Sequence, residues 1–195
     1  MINIDEIKKH IDTNKWNQIE YYKEIESTHK FAKELKIKNK TDRIIILTDT
    51  QTSGIGTKQR AGYCGIEKNI AMTIAIYPNC NIKKLKNITV EIAVKIKEAI
   101  KELYGYDLEI KKPNDLILNG KKICGILTET KINKENVKAL YISFGFDVNE
   151  NKFPKELEEI ATSLRIEFNK EFSKEDIIIK ILKNLEEIIE LCLDN

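Results

Sequence analysis

Two short apolar runs rich in β-branched residues constrain the fold most: 43–48 (RIIILT) and 70–77 (IAMTIAIY), the second halted by Pro78. Runs of this length and type read as strands buried within a sheet. Between them, residues 51–69 hold Gly54, Gly56, Gly62 and Gly65, half of the chain's eight glycines, so flexibility and close backbone approach are concentrated in one loop. Upstream, residues 1–12 suit a short amphipathic helix and 18–25 a strand. Ser27 or Thr28 can cap a helix running to Leu35, with Phe31, Ala32 and Leu35 on one face. Downstream, apolar residues recur at helical spacing over 84–104, with Gly105 as a natural stop. Three strand-like stretches follow (108–111, 115–118 and 122–130), the last two joined by Asn119-Gly120, the strongest two-residue hairpin signal. A strand over 139–146 and a closing helix over 173–193, capped by Ser173, complete the chain. The order predicts an α+β fold, a mixed β-sheet packed with helices, rather than a doubly wound parallel sheet.

A length of 195 residues fits one domain with a real core. No stretch approaches the roughly 20 apolar residues of a membrane span, and 1–10 lacks the pattern of a secretory signal, so a cytoplasmic protein that does not meet the membrane is expected. Cys64, Cys80, Cys124 and Cys192 form no CxxC pair or zinc-like spacing and read as reduced thiols. With 33 basic and 31 acidic residues, the net charge of +2 offers no chain-wide attraction for nucleic acid or anionic lipid. Any basic site must be local.

Three polar, glycine-bearing segments interrupt otherwise apolar strands. In 51–60 (QTSGIGTKQR), glycines expose backbone N–H groups while Lys58 and Arg60 add positive charge, a combination suited to phosphate or carboxylate, although a solvated hairpin loop fits equally well. In 111–126 (KKPNDLILNGKKICGI), Lys122 stands two residues past the Asn-Gly turn with Gly125 three further on, and an anionic ligand or an exposed strand edge would each account for that charge. In 143–149 (SFGFDVN), Gly145 permits close approach, and the period of two puts Asp147 and Asn149 on one side.

Taken in this order and spacing, the segments resemble the catalytic domain of biotin-protein ligases, within the biotin/lipoate ligase family. Ser27-Thr28 is similar to that family's Ser-Thr-Asn, 51–60 to its adenylate loop, and 111–115 to its Lys-Trp-Pro-Asn-Asp. Further on, 122–126 is similar to Lys-Leu-Ala-Gly-Ile, 144–149 to Gly-Ile-Asn-Val-Asn, and 161–164 to Ala-Thr-Ser-Leu. The resemblance implies the class II aminoacyl-tRNA synthetase-like architecture of that catalytic domain. It also implies ATP-dependent biotinylation of a carrier lysine through biotinyl-5′-AMP, with ATP, Mg2+ and biotin as reactants and a biotin carboxyl carrier domain as partner. Lys122 and Arg60 would be catalytic, and Ser27, Thr28, Gln51, Gly54, Gly125 and Lys122 would hold biotin. Gly56, Thr57, Lys58, Arg60, Lys111, Asn114, Asp115, Asp147 and Asn149 would meet the nucleotide, with magnesium near Asp115.

Ile55 and Thr57 stand where that family usually has arginines, and His29, Lys112, Ser143 and Asp147 replace its usual Asn, Trp, Gly and Asn. Removing one charge-assisted hydrogen bond to an anion can cost roughly 1.5–3 kcal/mol, so looser retention of the adenylate is expected unless Lys58 compensates. His29 is expected on the helix surface. The whole chain, 1–195, is read as one catalytic domain with no winged-helix DNA-binding domain before it, hence no DNA partner, and no C-terminal β-barrel after it. Relatives often pair through sheet edges, which makes a homodimer a candidate assembly. Three other readings stand beside this one: a degenerate paralogue that binds biotin or an adenylate without transfer, a lipoate or octanoate transferase, and a plain interaction module.

Overall fold

The computed structural model describes residues 1–35, 43–54 and 67–193. Gly56, Thr57, Lys58 and Arg60, with Ile55 and Cys64, lie outside the described residues. The elements in chain order are α1 (Ile4–His10), β1 (Gln18–Ile25), α2 (Thr28–Glu34), β2 (Arg43–Gln51), β3 (Ile70–Ile76), a 3-10 turn (Ile82–Leu85) and α3 (Ile88–Tyr104). They continue with β4 (Glu109–Lys111), β5 (Asp115–Leu118), β6 (Lys121–Asn133), β7 (Asn136–Phe146), α4 (Leu164–Phe168) and α5 (Lys174–Leu193). The strands form one sheet in the order β1-β2-β3-β7-β6-β5-β4, in which, among the described residues, β1 and β2 pair in parallel and the other neighbours are antiparallel. This is the mixed sheet with helices that the sequence predicts.

β2 and β3 are buried almost throughout because both faces of the sheet are covered near the centre. One face carries the main core, where Leu47, Met72, Ile74, Ile142 and Phe146 meet the apolar sides of α3 and α5. The other face is covered only in part. There α2 lays Ala32 over Ile44, Ile46, Ala75 and Tyr141, and farther along the same strands no helix follows among the described residues.

Local chemistry explains most of the boundaries. Ser27 caps α2 by accepting from the Lys30 N–H, Ser173 caps α5 by accepting from the Asp176 N–H, and Gly105 ends α3 in the left-handed region. Asn119 and Gly120, at φ 50° and 80°, build the tight turn between β5 and β6. The helix expected over 84–104 is divided, since Asn87 takes φ 68° between the 3-10 turn and α3, a conformation Asn tolerates better than most residues. Asp49 on β2 is fully buried, accepting from the Ile2 N–H and the Tyr21 hydroxyl while pairing with the Lys174 ammonium at 3.5 Å. Burial and that carboxylate push the Tyr21 hydroxyl up to about 12. Cys80, Cys124 and Cys192 are free thiols, and among the described residues no helix is long and apolar enough to cross a membrane.

Candidate active site

The partly covered face gathers the polar residues. A single row of paired residues crosses six strands at one level: Thr48 on β2, Ala71, Gly145, Gly125, Asp115 and Lys111 on β4. Gly145 and Gly125 are therefore neighbours on β7 and β6, and a side chain added at Gly145 would meet nothing within 4 Å. Gly145 leaves an open patch of backbone, a floor on which an apolar ligand can lie, while the space over Gly125 is taken by the end of the Lys122 side chain.

Lys122 reaches that floor through a β-bulge. In a regular strand, residues three apart point to opposite faces. Here Leu116 pairs with Cys124 but Ile117 pairs with Lys122, which leaves Ile123 as an extra residue and returns Lys122 to the face of Gly125. Its ammonium lies so close to Gly125 that an added Cβ would be 2.9 Å away, so the Lys-x-x-Gly spacing is a packing requirement. Asp115 stands opposite, with Oδ1 at 2.6 Å from Lys122 Nζ. The two form an ion pair, and Oδ1, itself buried, has no other partner among the described residues. The backbone of Lys122 is held from the other side, donating to the Ile160 carbonyl and accepting from the Thr162 N–H, which docks the 161–164 segment here.

Asn114 joins β6 at two points: its side-chain amide donates to the Ile126 carbonyl, and its own carbonyl accepts from the Ile126 N–H. Lys111 is exposed at the end of β4. Asp147 donates its N–H to the Ile123 carbonyl and accepts from Asn69 at 3.0 Å. Burial, then the nearby Glu150 carboxylate, push the Asp147 carboxyl well above the usual range, and the Lys122 charge works against them. In the unfolded chain this carboxyl titrates near its ordinary value, so folding binds a proton and stability falls as pH rises through the raised value. Asp147→Asn keeps the acceptor toward Asn69 and removes the charge. A higher thermal midpoint near neutral pH is expected, the gain shrinking in acid, as scanning calorimetry across pH would show.

Asn149 is placed differently. Strand β7 ends at Phe146, so the period of two does not carry on, and the Asn149 amide clamps the Phe172 backbone instead, donating at 2.8 Å and accepting at 2.9 Å. Both polar atoms are engaged within the fold. Asn149→Ala should cost about 2 kcal/mol of stability, read by urea denaturation, because two hydrogen bonds at roughly 1 kcal/mol each are removed.

The other end of the floor is built where β1 runs parallel to β2. Ile25 pairs with Gln51, and the chain turns at once into α2, which brings Ser27 and Thr28 against Gln51. The Thr28 N–H and hydroxyl both donate to Gln51 Oε1, at 2.9 and 3.1 Å. Gly54 lies buried three residues beyond Gln51. The Thr73 hydroxyl donates to the Thr28 hydroxyl at 2.9 Å and touches that of Ser143 at 2.8 Å, with His29 Nδ1 2.7 Å beyond. His29 is not a surface residue. It is 4% exposed, because the face of α2 that carries it lies on the sheet, and its Nε2 is 3.0 Å from Glu129 Oε2. The Lys33 ammonium, more than His29, holds the Glu129 carboxyl below its ordinary value. Thr73, Ser143 and Glu129 are additional polar members of this region. The signal for the first two was a hydroxyl at an interior position of an apolar strand.

Comparison with known proteins shows the family and the fold. The model of the biotin/lipoate A/B protein ligase family matches residues 21–149. The bifunctional ligase/repressor BirA of Bacillus subtilis (strain 168) is 34% identical over 164 residues, 83% of this chain and 50% of that protein, and its counterpart in Bacillus spizizenii matches over the same shares. The chain thus spans about half the length of the curated relatives it matches. Among solved structures, the biotin protein ligase from Aquifex aeolicus in complex with biotin and ATP aligns with a TM-score of 0.74 at 24% identity, covering 89% of this chain and 70% of that one. The Leishmania major biotin protein ligase in complex with biotinyl-5-AMP gives 0.72 at 22%, covering 89% and 75%. Matched over more than half of its length by the family model, and carrying that family's Lys-x-Pro-Asn-Asp and Lys-x-x-Gly segments on one sheet face, the chain belongs to the biotin/lipoate A/B protein ligase family.

Proposed function

We propose that the chain couples biotin to a lysine of a carrier domain, using ATP to make biotinyl-5′-AMP. The observation that carries this reading is the pairing of a polar end, Thr28 with Gln51, and a cationic end, Lys122 beside Asp115, across a floor of Gly145 and Gly125 on one face. Three strand spacings separate β2 from β6, about 14 Å at roughly 4.8 Å each. That span suits a bicyclic urea at one end and a carboxylate, held on a flexible chain, at the other. A dithiolane ring offers no hydrogen-bonding pair to Thr28 and Gln51, so the polar end favours biotin over lipoate.

In the first step a carboxylate oxygen of biotin attacks the α-phosphorus of ATP, and the bond to the bridging oxygen breaks with release of pyrophosphate. Two anions must meet, so a fixed ammonium at their junction lowers the barrier by stabilising charge that develops there. Lys122 fills that role. Asp115, beside Lys122, would hold magnesium that arrives with the nucleotide, and the ion would supply neutralising charge at the phosphates. In the second step the amine of a carrier lysine attacks the acyl carbon, AMP leaves, and an amide remains. Lys58 and Arg60 would close over the adenylate.

Incubation with ATP, biotin and a biotin carrier domain, followed by a streptavidin blot, tests the proposal: a band that needs both small molecules is expected. No band, with biotin binding intact by calorimetry, would leave a binding protein without transfer, the reading favoured by Ile55 and Thr57 in the loop. Gly145→Ala separates floor from fold. Its added methyl meets no protein atom within 4 Å, so the melting temperature should hold while biotin affinity drops roughly tenfold, about the 1.4 kcal/mol expected when a ligand is lifted off the surface it rests on.

A further inference from the structure

The buried chain Glu129–His29–Ser143–Thr73–Thr28–Gln51 contains more acceptors than hydroxyl protons can serve in every arrangement, and counting protons fixes its direction. Thr28 spends its hydroxyl proton on Gln51 Oε1, and Thr73 spends its own on Thr28. At the 2.8 Å approach between Thr73 and Ser143, Ser143 is therefore the donor. Its proton spent, Ser143 must accept from His29 Nδ1 at 2.7 Å. On its other side the ring faces Glu129 Oε2 at 3.0 Å, a carboxylate that only accepts, so Nε2 carries a proton as well. Both ring nitrogens of His29 thereby face acceptors, and every hydroxyl in the chain points its proton toward Gln51.

This direction decides what the polar end presents. Gln51 Oε1 receives two donors from Thr28, so the amide N–H groups of Gln51 are what remains for a ligand. The Thr28 oxygen, donating once and accepting once, keeps one lone pair. A donor beside an acceptor complements the C=O and N–H edge of a cyclic urea. Were Ser143 to donate to the ring instead, Thr73 would turn to Ser143 and Thr28 to Thr73. Gln51 Oε1 then loses one of its two donors and the match is broken.

We propose, on the biotin reading above, that His29 and Ser143 form a positioning pair that sets the hydrogen-bond polarity of Thr28 and Gln51 and so determines affinity for the ureido ring. The pair belongs to this chain's own pattern: these are two of the positions where it departs from the Asn and Gly usual at the matching places, and a glycine has no hydroxyl to pass the polarity on. Other ionisable groups around His29 are Glu129 from β6, Lys33 from α2 and Tyr141 from β7, whose ring lies 6.2 Å away. From β2 and the β3 end come Ile44, Ile46, Thr73, Ala75 and Tyr77.

The test compares Ser143→Ala, Ser143→Thr and His29→Phe with the wild type by calorimetric titration of biotin, with thermal melts to check folding. Ser143→Ala and His29→Phe should bind biotin roughly tenfold more weakly than the wild type, while Ser143→Thr, which keeps the hydroxyl, stays within about threefold and KM for ATP stays within about twofold throughout. Ser143→Ala removes one oxygen and serves alone if His29→Phe does not fold. A folded Ser143→Ala protein with wild-type affinity, or a folded Ser143→Thr protein as weak as Ser143→Ala, overturns the proposal. A wild type that binds no biotin would instead bring down the functional reading, and this inference with it.

Discussion

Lys122→Gln is expected to lower biotin-dependent exchange of pyrophosphate into ATP by roughly 10²–10³-fold, the range seen when one preorganised donor is removed from a site of developing negative charge. Glutamine keeps a donor for Asp115 but loses the positive charge, so the variant isolates electrostatics from packing. Stability should scarcely change. The Lys122 side chain is 45% exposed and that of Asp115 26%, and pairs so exposed contribute about 0–1 kcal/mol. Biotin affinity should change less than exchange, because the ureido end is bound elsewhere on the sheet. An exchange rate within about tenfold of wild type would remove Lys122 from the chemistry.

Gly125→Ala should produce a protein at least as stable as the wild type with exchange reduced by about tenfold or more. The added Cβ would lie 2.9 Å from Lys122 Nζ and 3.0 Å from Cε, closer than real atoms pack, yet both atoms belong to the far end of a flexible side chain. The lysine can swing away at little cost, and an alanine in a strand is worth roughly 0.5–1 kcal/mol over glycine. The expected signature is separation of two readouts: an unchanged or raised melting temperature with exchange abolished or much reduced. If Gly125→Ala retains full activity, then Lys122 does not need its seat on the glycine, and the Lys-x-x-Gly spacing requires another cause.

Much of this was legible in the chain itself, for physical reasons that differ by element. The strand over 18–25, the hairpin at Asn119-Gly120 and the last helix follow from alternation, turn chemistry and a 3.6-residue apolar period, all local signals. Thr28 with Gln51, and Lys122 with Gly125, came from matched segments, which carry information about a shared site without describing its geometry. What was hidden depended on neighbours remote in sequence. The bulge at Ile123 that turns Lys122 onto the floor is a property of pairing with β5, and nothing within 121–126 announces it. His29 read as a solvent-facing residue because a single histidine in a first turn has no local cue. Its partners, Ser143 and Glu129, are 114 and 100 residues away. Asn149 was hidden in the same way: where β7 stops decides that its amide meets the Phe172 backbone.

A crystal structure of the protein with biotinyl-5′-AMP bound would test the central claim most directly. The account predicts the ureido ring against Thr28 and Gln51, the aliphatic chain over Gly145 and Gly125, and the acyl-phosphate linkage within about 3 Å of Lys122 Nζ. Density for the ligand on the opposite face, or a linkage remote from Lys122 with the Asp115 pair undisturbed, would contradict it.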